Sequence, residues 1–526
     1  MNSYLTARAR PDEGVVFTAS PEALTMVREA IYQRLKMDFA PFNRALFTNF
    51  RTGRADPAYV GDIVKALQKY TYFDPAIGKG VFLQVLYQEL TEWQSQYALP
   101  VSTRINRNIR GMDLDQSMIQ YCNTRLSFHP ALVCADFITT EHVNRPDIII
   151  ANPPYIRQEL LRRDYKKKLI DGTRQDWPEL NVSARSDLYV YFILKAARIL
   201  ADNGVMTFIV PNGWLDNDFG KCLRKLFKTT MQLVSMHEFT VERHFTAAVN
   251  TVILTAIKKP LADINRIELH SDNREYSVSQ KELAQTNLGW YGSFFRCPDW
   301  LRAALNSNRS LLPLGTQLTI QTGIITGDNR RYYSLQKTEK NSVLAIRSPR
   351  EATAIEFWRS DAATWLRTSA IPFKIRRAPL LWTDLRGSRH LVIWNRDNLP
   401  FEHTFYGLNP WDDNNILKWA LLLNTSWVWL MVELFGRKSL GGGAIRLVKC
   451  DLRKLPMPKI EALDFADFDK GFLSRPIGNW RAELKQRDRQ ALDRVVFRSL
   501  GLEERYLDCM KLIAQLMEQR EVKSKS

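Results

Sequence analysis

Four residues, Asn152, Pro153, Pro154 and Tyr155, stand directly after the apolar run Ile148, Ile149, Ile150 and Ala151. The run reads as a buried strand, and the carboxamide sits at its carboxyl end. The Asn152 side-chain oxygen can accept a hydrogen bond from an amine, and the Pro153 carbonyl offers a second acceptor. Two prolines stiffen the turn and fix that carbonyl's direction. Tyr155 adds a flat face on which an aromatic ring can stack. A ring amine is a poor nucleophile because its lone pair is delocalised. Two acceptors gripping its two hydrogens pull it toward tetrahedral geometry and expose the lone pair. The pattern suits methyl transfer from a sulfonium to a planar amine or amide. The bland alternative is a rigid Asn-Pro turn, and the motifs upstream weigh against it.

Those motifs could hold an adenosine-bearing cofactor. In Phe-Asp-Pro-Ala-Ile-Gly-Lys-Gly, Asp74, Pro75 and Ala76 precede Gly78 and Gly80, between a short strand and a helix. Such glycines let the backbone pass close to a ligand. A nicotinamide-dinucleotide fingerprint would need a third glycine at 83, where Leu83 stands, so no pyrophosphate cradle is expected. Asp113 ends the next strand, where a carboxylate can take both hydroxyls of a ribose. Asp136 follows the third strand and could accept from an adenine amine, with Phe137 stacking on the ring. Singly, each acid reads as well as a helix cap, and Asp115 is a better cap than Asp113. At the carboxyl ends of three successive strands they fit one pocket.

The elements that must position these residues alternate. Short apolar strands and helices repeat from about Thr71 to Pro260, which indicates a mostly parallel sheet in a Rossmann-like α/β domain. Before it, Asp56 with Pro57 signals a helix start. After it the chain is rich in Trp and Arg, with short mixed strands and a closing helix, as in an α+β domain. The expected division is a helical extension over 1–45, a catalytic domain over 46–262 and a further domain over 263–526. The chain has 526 residues and a formal net charge of +18. That excess of cations points to a polyanionic partner, nucleic acid before membrane. The six cysteines are scattered without a CxxC pair, so neither disulfides nor a zinc site is expected and a reducing cytoplasm is. No apolar run approaches the roughly 20 residues of a membrane span.

The order of these motifs resembles the adenine-specific DNA methyltransferases, and most closely the TaqI-like, gamma-order amino-methyltransferases. Their usual cofactor loop reads Asp-Pro-Ala-Cys-Gly-Ser-Gly; here Ile77 and Lys79 replace the Cys and Ser. Their upstream Thr-Pro pair is Asp56-Pro57 in this chain. The resemblance implies a class I methyltransferase domain with a seven-stranded sheet, S-adenosylmethionine as cofactor, no metal, and a C-terminal target recognition domain. It implies transfer to the N6 amine of an adenine flipped out of double-stranded DNA, with Asn152, Pro153, Pro154 and Tyr155 catalytic and Tyr155 and Phe245 stacking on the base. Asp74, Pro75, Ala76, Gly78, Gly80, Asp113, Asp136 and Phe137 would line the cofactor site. A monomer is expected, with a separately encoded restriction endonuclease as the natural partner. Asn-Pro-Pro-Tyr also occurs in enzymes acting on RNA guanine amines and protein glutamines. The long basic second half favours DNA over both, and the intact motifs argue against an inactive DNA-binding relative.

Overall fold

The computed structural model describes residue 5 and residues 20–98, 104–141, 144–238, 250–271, 274–286, 288–337, 340–369, 371–438 and 444–525. It divides into two compact units, Met1–Thr286 and Asn287–Ser526. Among the described residues, no helix is long and apolar enough to cross a membrane.

Nine strands make one sheet in the first unit. They are β1 (Tyr72–Asp74), β2 (Ile109–Asp113), β3 (Ala131–Cys134), β4 (Ile148–Ala151), β5 (Val205–Pro211), β6 (Gln232–Glu238), β7 (Thr251–Ile257), β8 (Arg266–Ser271) and β9 (Arg274–Ser279). Their order is β3-β2-β1-β4-β5-β7-β6-β8-β9. The pairs from β3 to β5 are all parallel, and β7 runs antiparallel between β5 and β6. β4 is at most 4% exposed at every residue. A parallel strand covered on both faces needs such an unbroken apolar run.

The sheet has nine strands where seven were expected, and β8 and β9 form a hairpin at its edge. β8 lies parallel to β6, and β9 antiparallel to β8. Ile267, Leu269 and Val278 are fully buried, the alternate residues of a half-buried pair. A helix, Gln280–Gln285, follows under a Ser279–Glu282 capping box. The boundary expected at 262/263 therefore falls at 286/287.

The first helix is likewise no separate extension. α1 (Ser20–Asp38) buries Ala23, Met26, Val27, Ala30 and Ile31 completely. Their spacing of three and four residues makes one stripe. That stripe shares a core with Ile148, Ile150, Val205 and Ile209 of the sheet. Burying each of its larger side chains contributes about 1.5–3 kcal/mol. Further helices of this unit are α2 (Arg44–Arg51), α3 (Pro57–Lys69), α4 (Val81–Gln96), α5 (Arg104–Asn108), α6 (Gln116–Arg125), α7 (Arg163–Asp176) and α8 (Leu188–Ile199). Asp56 caps α3 as expected, its Oδ1 accepting from the Ala58 N–H at 2.9 Å.

The chain runs from β1 through β2 to β3 on one side, then returns to β4 on the other side of β1. Strand order reverses between β1 and β4, and in open α/β sheets a crevice forms beyond the carboxyl ends of such strands.

The second unit is mixed α+β. Its largest sheet runs Leu318–Thr322, Phe405–Pro410, Leu380–Thr383, Val392–Asn395, Glu356–Phe357. Two apolar helices, Ile416–Leu423 and Ser426–Phe435, share its core. Trp382, Trp419, Trp427 and Trp429 are at most 1% exposed, so much of the tryptophan richness builds this core.

Candidate active site

The cofactor-loop residues sit at the reversal. Asp74 ends β1, and its carboxyl is 1% exposed. Its Oδ1 accepts from the Ala76 N–H at 3.0 Å, while Oδ2 is buried with no hydrogen-bond partner among the described residues. Burial pushes this carboxyl up to about 8; the Ala76 hydrogen bond opposes the shift and the neighbouring Asp113 charge adds to it. Pro75 is buried and Ala76 half-buried.

The loop then turns through two glycines in the left-handed region, Gly78 at φ 48° and Gly80 at φ 76°. A Cβ on Gly80 would lie 2.9 Å from the Cys122 Sγ, whereas one on Gly78 would meet nothing within 4 Å. Gly80 is thus fixed by packing on α6, and Gly78 by conformation and an open approach. Ile77 is buried and folds over β2. There a Cβ on Gly111 would lie 2.5 Å from Ile77 Cγ2 and 2.9 Å from Leu132 Cδ2.

Asp113 closes the loop from the next strand. Its Oδ2 accepts from the Gly78 N–H at 3.0 Å and its Oδ1 from the Asp115 N–H at 2.9 Å. A carboxylate has about four acceptor positions, so capacity remains for a hydroxyl ligand. Burial raises its acid range, against these backbone donors. Asp115 is the cap of α6, as the sequence suggested.

Asp136 carries more local contacts than expected. Oδ1 accepts from the Ile138 N–H at 3.0 Å; Oδ2 accepts from the Thr139 hydroxyl at 2.8 Å and the Tyr165 hydroxyl at 2.9 Å. Phe137 departs from its expected role as an open stacking face. It is 2% exposed, with Phe73 5.8 Å and Phe192 5.3 Å away between centroids. An apolar ring directed into the core by the turn at Asp136 packs there.

Asn152, half-buried, follows β4, with Pro153 buried and Pro154 and Tyr155 half-buried behind it. Phe73 pairs with Ile149, so Asp74 is level with Ile150 and Asn152 lies two residues further along. Asp74 and Asn152 thus stand at the ends of adjacent strands. The Tyr155 hydroxyl donates to the Ile209 carbonyl of β5 at 3.1 Å. Burial holds its acid range far above that of an ordinary tyrosine. The hydroxyl remains a donor and the ring is tethered. Phe245 lies outside the described residues.

Three positioning residues escaped the sequence reading. Tyr165, on α7, lies within the charged run Arg162–Lys168 and joins it to Asp136. Its neighbour Lys166 bonds the Gln158 carbonyl at 3.4 Å. The Gln158 N–H donates to Asp187 Oδ1 at 3.0 Å. Asp187 opens α8, and burial pushes its carboxyl up to about 6. The exit of the Asn152–Tyr155 loop is therefore held between α7 and α8. The signals were a tyrosine inside a charge run and an acid before an apolar helix. The third residue is Gly111, a small residue in a strand.

The sheet runs β3-β2-β1-β4-β5-β7-β6, with carboxylates at or just after the ends of the first three strands and Asn-Pro-Pro-Tyr after the fourth, an α/β arrangement that gathers these residues at one edge. Residues 131–245, which include Asn152–Tyr155, match the family described as Eco57I restriction-modification methylase. The chain carries a restriction-modification methylase domain of that family. It is 27% identical over 201 residues to the Type II methyltransferase M.BstVI of Geobacillus stearothermophilus, covering 33% of this chain and 35% of that one. It is 22% identical over 299 residues to the Type II methyltransferase M.AccI of Acinetobacter calcoaceticus, covering 52% and 51%. The matches thus span about a third to a half of these curated relatives. Among solved structures, the Type IIL restriction-modification enzyme MmeI in complex with DNA shares the fold, with a TM-score of 0.60 at 13% identity, over 97% of this chain and 79% of that one.

Proposed function

We propose that the protein is a site-specific DNA methyltransferase that moves a methyl group from S-adenosylmethionine to the N6 amine of a flipped adenine in double-stranded DNA. It would serve as the modification component of a restriction-modification system. The observation that carries this reading is Asn152–Tyr155 at the strand end next to the Asp74–Gly80 loop, where strand order reverses.

The loop fits the cofactor. Among the described residues the buried Asp74 Oδ2 has no hydrogen-bond partner, and Gly78 leaves open space where a side chain would stand. Asp74 with Pro75, Ala76, Gly78 and Gly80 would hold the amino-acid end, Asp113 the ribose and Asp136 the adenine amine. When bound, S-adenosylmethionine supplies an electrophilic methyl group on a sulfonium.

This chain's residues do the rest. The Asn152 side-chain oxygen and the Pro153 carbonyl accept the two hydrogens of the target amine and free its lone pair for the methyl carbon. The amine's proton becomes acidic once that bond has formed, so no strong base is required. Tyr155 stays protonated, and its tether to Ile209 holds the ring for stacking on the extruded base. Phe245 is assigned the second stacking contact from the sequence.

Three findings favour DNA over an RNA guanine or a protein glutamine: the restriction-modification methylase match, the Type II relatives and the net charge of +18. Adenine rather than another amino base rests on the resemblance to adenine-specific enzymes. The test is to incubate the protein with S-adenosylmethionine and duplex plasmid, digest the DNA to nucleosides and analyse them by mass spectrometry. N6-methyldeoxyadenosine is expected. A methylated cytosine, or DNA left unmodified while RNA or protein accepts the methyl group, overturns the reading.

A further inference from the structure

In the second unit, one short segment gathers three loops that are distant in sequence. Ile324 bridges Glu402, Ile346 bridges Phe401, and Arg377 bridges Pro400. The Ile324 N–H donates to the Phe401 carbonyl at 2.9 Å, and the His403 N–H to the Ile324 carbonyl at 3.1 Å. The Ile346 N–H donates to the Pro400 carbonyl at 2.8 Å. Buried Glu402 pins the cluster from beneath. Its Oε1 accepts from the Asn329 side chain at 3.1 Å and lies 2.5 Å from His403 Nδ1, and its Oε2 accepts from the Thr404 N–H at 3.0 Å.

The first of these loops is tightly built. Gly323 has no room for a Cβ, which would lie 2.3 Å from the Glu402 carbonyl oxygen. Gly327 takes φ +73°. The Thr326 hydroxyl donates to Asn329 Oδ1 at 2.6 Å, and Asp328 Oδ1 accepts from the Arg330 and Arg331 N–H groups. On this pinned turn Ile325 is 63% exposed.

The three loops bring exposed cations with them. Arg330 and Arg331 follow the turn, Arg347 follows Ile346, and Arg377 has Lys374 three residues before it; all five are exposed. Among the described residues none of these four arginines forms an ion pair. Some arginines elsewhere in this unit are paired, as Arg437 is with Asp451, Arg446 with Asp384, Arg475 with Glu483 and Asp488, and Arg498 with Glu503; what sets this group apart is that one short segment gathers its loops around an exposed isoleucine. Unmatched guanidiniums around a rigid apolar tip suit a polyanion that also presents apolar groups. Duplex DNA does both: phosphates line its backbone, while base edges and thymine methyl groups line its grooves.

We propose that this surface, Ile325 with Arg330, Arg331, Arg347 and Arg377, is where the second unit docks on duplex DNA. Arg330, Arg331 and Arg347 neutralise phosphates, and Ile325 enters a groove against base edges. The proposal deepens the reading of the protein as a DNA methyltransferase and rests on it.

The test uses the full-length protein and a duplex carrying the motif mapped by long-read sequencing of plasmid from expressing cells, with a scrambled duplex beside it. Fluorescence anisotropy is read across a salt series for wild type, Ile325→Ala, the double variant Arg330→Ala/Arg347→Ala, and Arg330→Lys/Arg347→Lys. Thermal melting and S-adenosylhomocysteine affinity check folding. The double alanine variant should lose about 10-fold or more on both duplexes, and its salt slope should fall by about two phosphates' worth. The lysine variant should keep the slope, which separates lost charge from lost fold. Ile325→Ala should narrow the preference for the mapped duplex by about 5-fold or more. Wild-type affinity, slope and preference in the folded variants overturn the docking surface alone, provided wild type methylates the motif. A wild type that binds no duplex overturns the surface and the function together.

Discussion

At the scale of single residues, the chemistry rests on acceptors and their protons. Tyr165 touches Asp136 with one hydroxyl, and losing a hydrogen bond to a charged acceptor costs about 1.5–3 kcal/mol. Tyr165→Phe should therefore lower the Tm, and, because Asp136 then loses its fixed orientation, also weaken S-adenosylhomocysteine binding in calorimetry. Unaltered affinity would make Tyr165 a helix anchor and nothing more. Asp74 gives a pH signature. Its folded carboxyl titrates near 8 against an ordinary 3.8, so between those values the folded chain keeps a proton that the unfolded chain has released. That contribution is complete below about pH 4 and is lost as pH rises toward 8. In scanning fluorimetry of the unliganded protein, the Tm advantage of Asp74→Asn over wild type should widen from pH 5 to pH 8. A gap that stays constant contradicts the buried carboxyl. Asn152, Pro153, Pro154 and Tyr155 could be singled out because each has a distinct chemical capability in a fixed order. Phe137 was misread because an aromatic after an acid serves a ligand or a core equally well, and sequence does not say which way the ring turns. Tyr165 was hidden because its partner lies 29 residues away, across a strand and a loop.

At the scale of elements, the cofactor loop depends on a strand that lacks a side chain. A Cβ at Gly111 would collide with Ile77 and Leu132, and overpacking of this kind costs about 1–3 kcal/mol. Gly111→Ala should destabilise the first unit in urea and loosen S-adenosylhomocysteine binding. Adding Ile77→Ala should recover part of the loss, so the double variant would be less impaired than the sum of the two single changes. Strict additivity would mean that the loop does not rest on β2. The alternation of apolar strands and helices made β1 to β7 readable, and the unbroken run in β4 marked the centre of the sheet. The β8–β9 hairpin was missed because the sequence beyond Pro260 carries no helix between its strands, and the alternation that signals a parallel sheet ends there. α1 read as an appendage because its capping signals are local. What binds it is the fit of Ala23, Met26, Val27, Ala30 and Ile31 to a sheet formed much later in the chain.

At the scale of the whole molecule, composition could not resolve two different uses of the same residues. Many of the tryptophans counted in the sequence fill the core of the second unit. Some of its arginines form ion pairs with carboxylates, and others, the group around Ile325 among them, form none among the described residues. Charge counts cannot separate these, because pairing depends on which loops the Pro400–Thr404 segment gathers. The central claim is that Asn152, at the end of β4, prepares an adenine amine in DNA for methylation. Long-read sequencing of plasmid from cells expressing either the full-length protein or Asn152→Ala tests it most directly. The prediction is modified adenine at one short motif on nearly every wild-type plasmid, and at least about 100-fold less in the variant, comparable to removing a key electrostatic contact in other active sites. Plasmid with no modified adenine, or the same modified adenines in the Asn152→Ala variant, would contradict it.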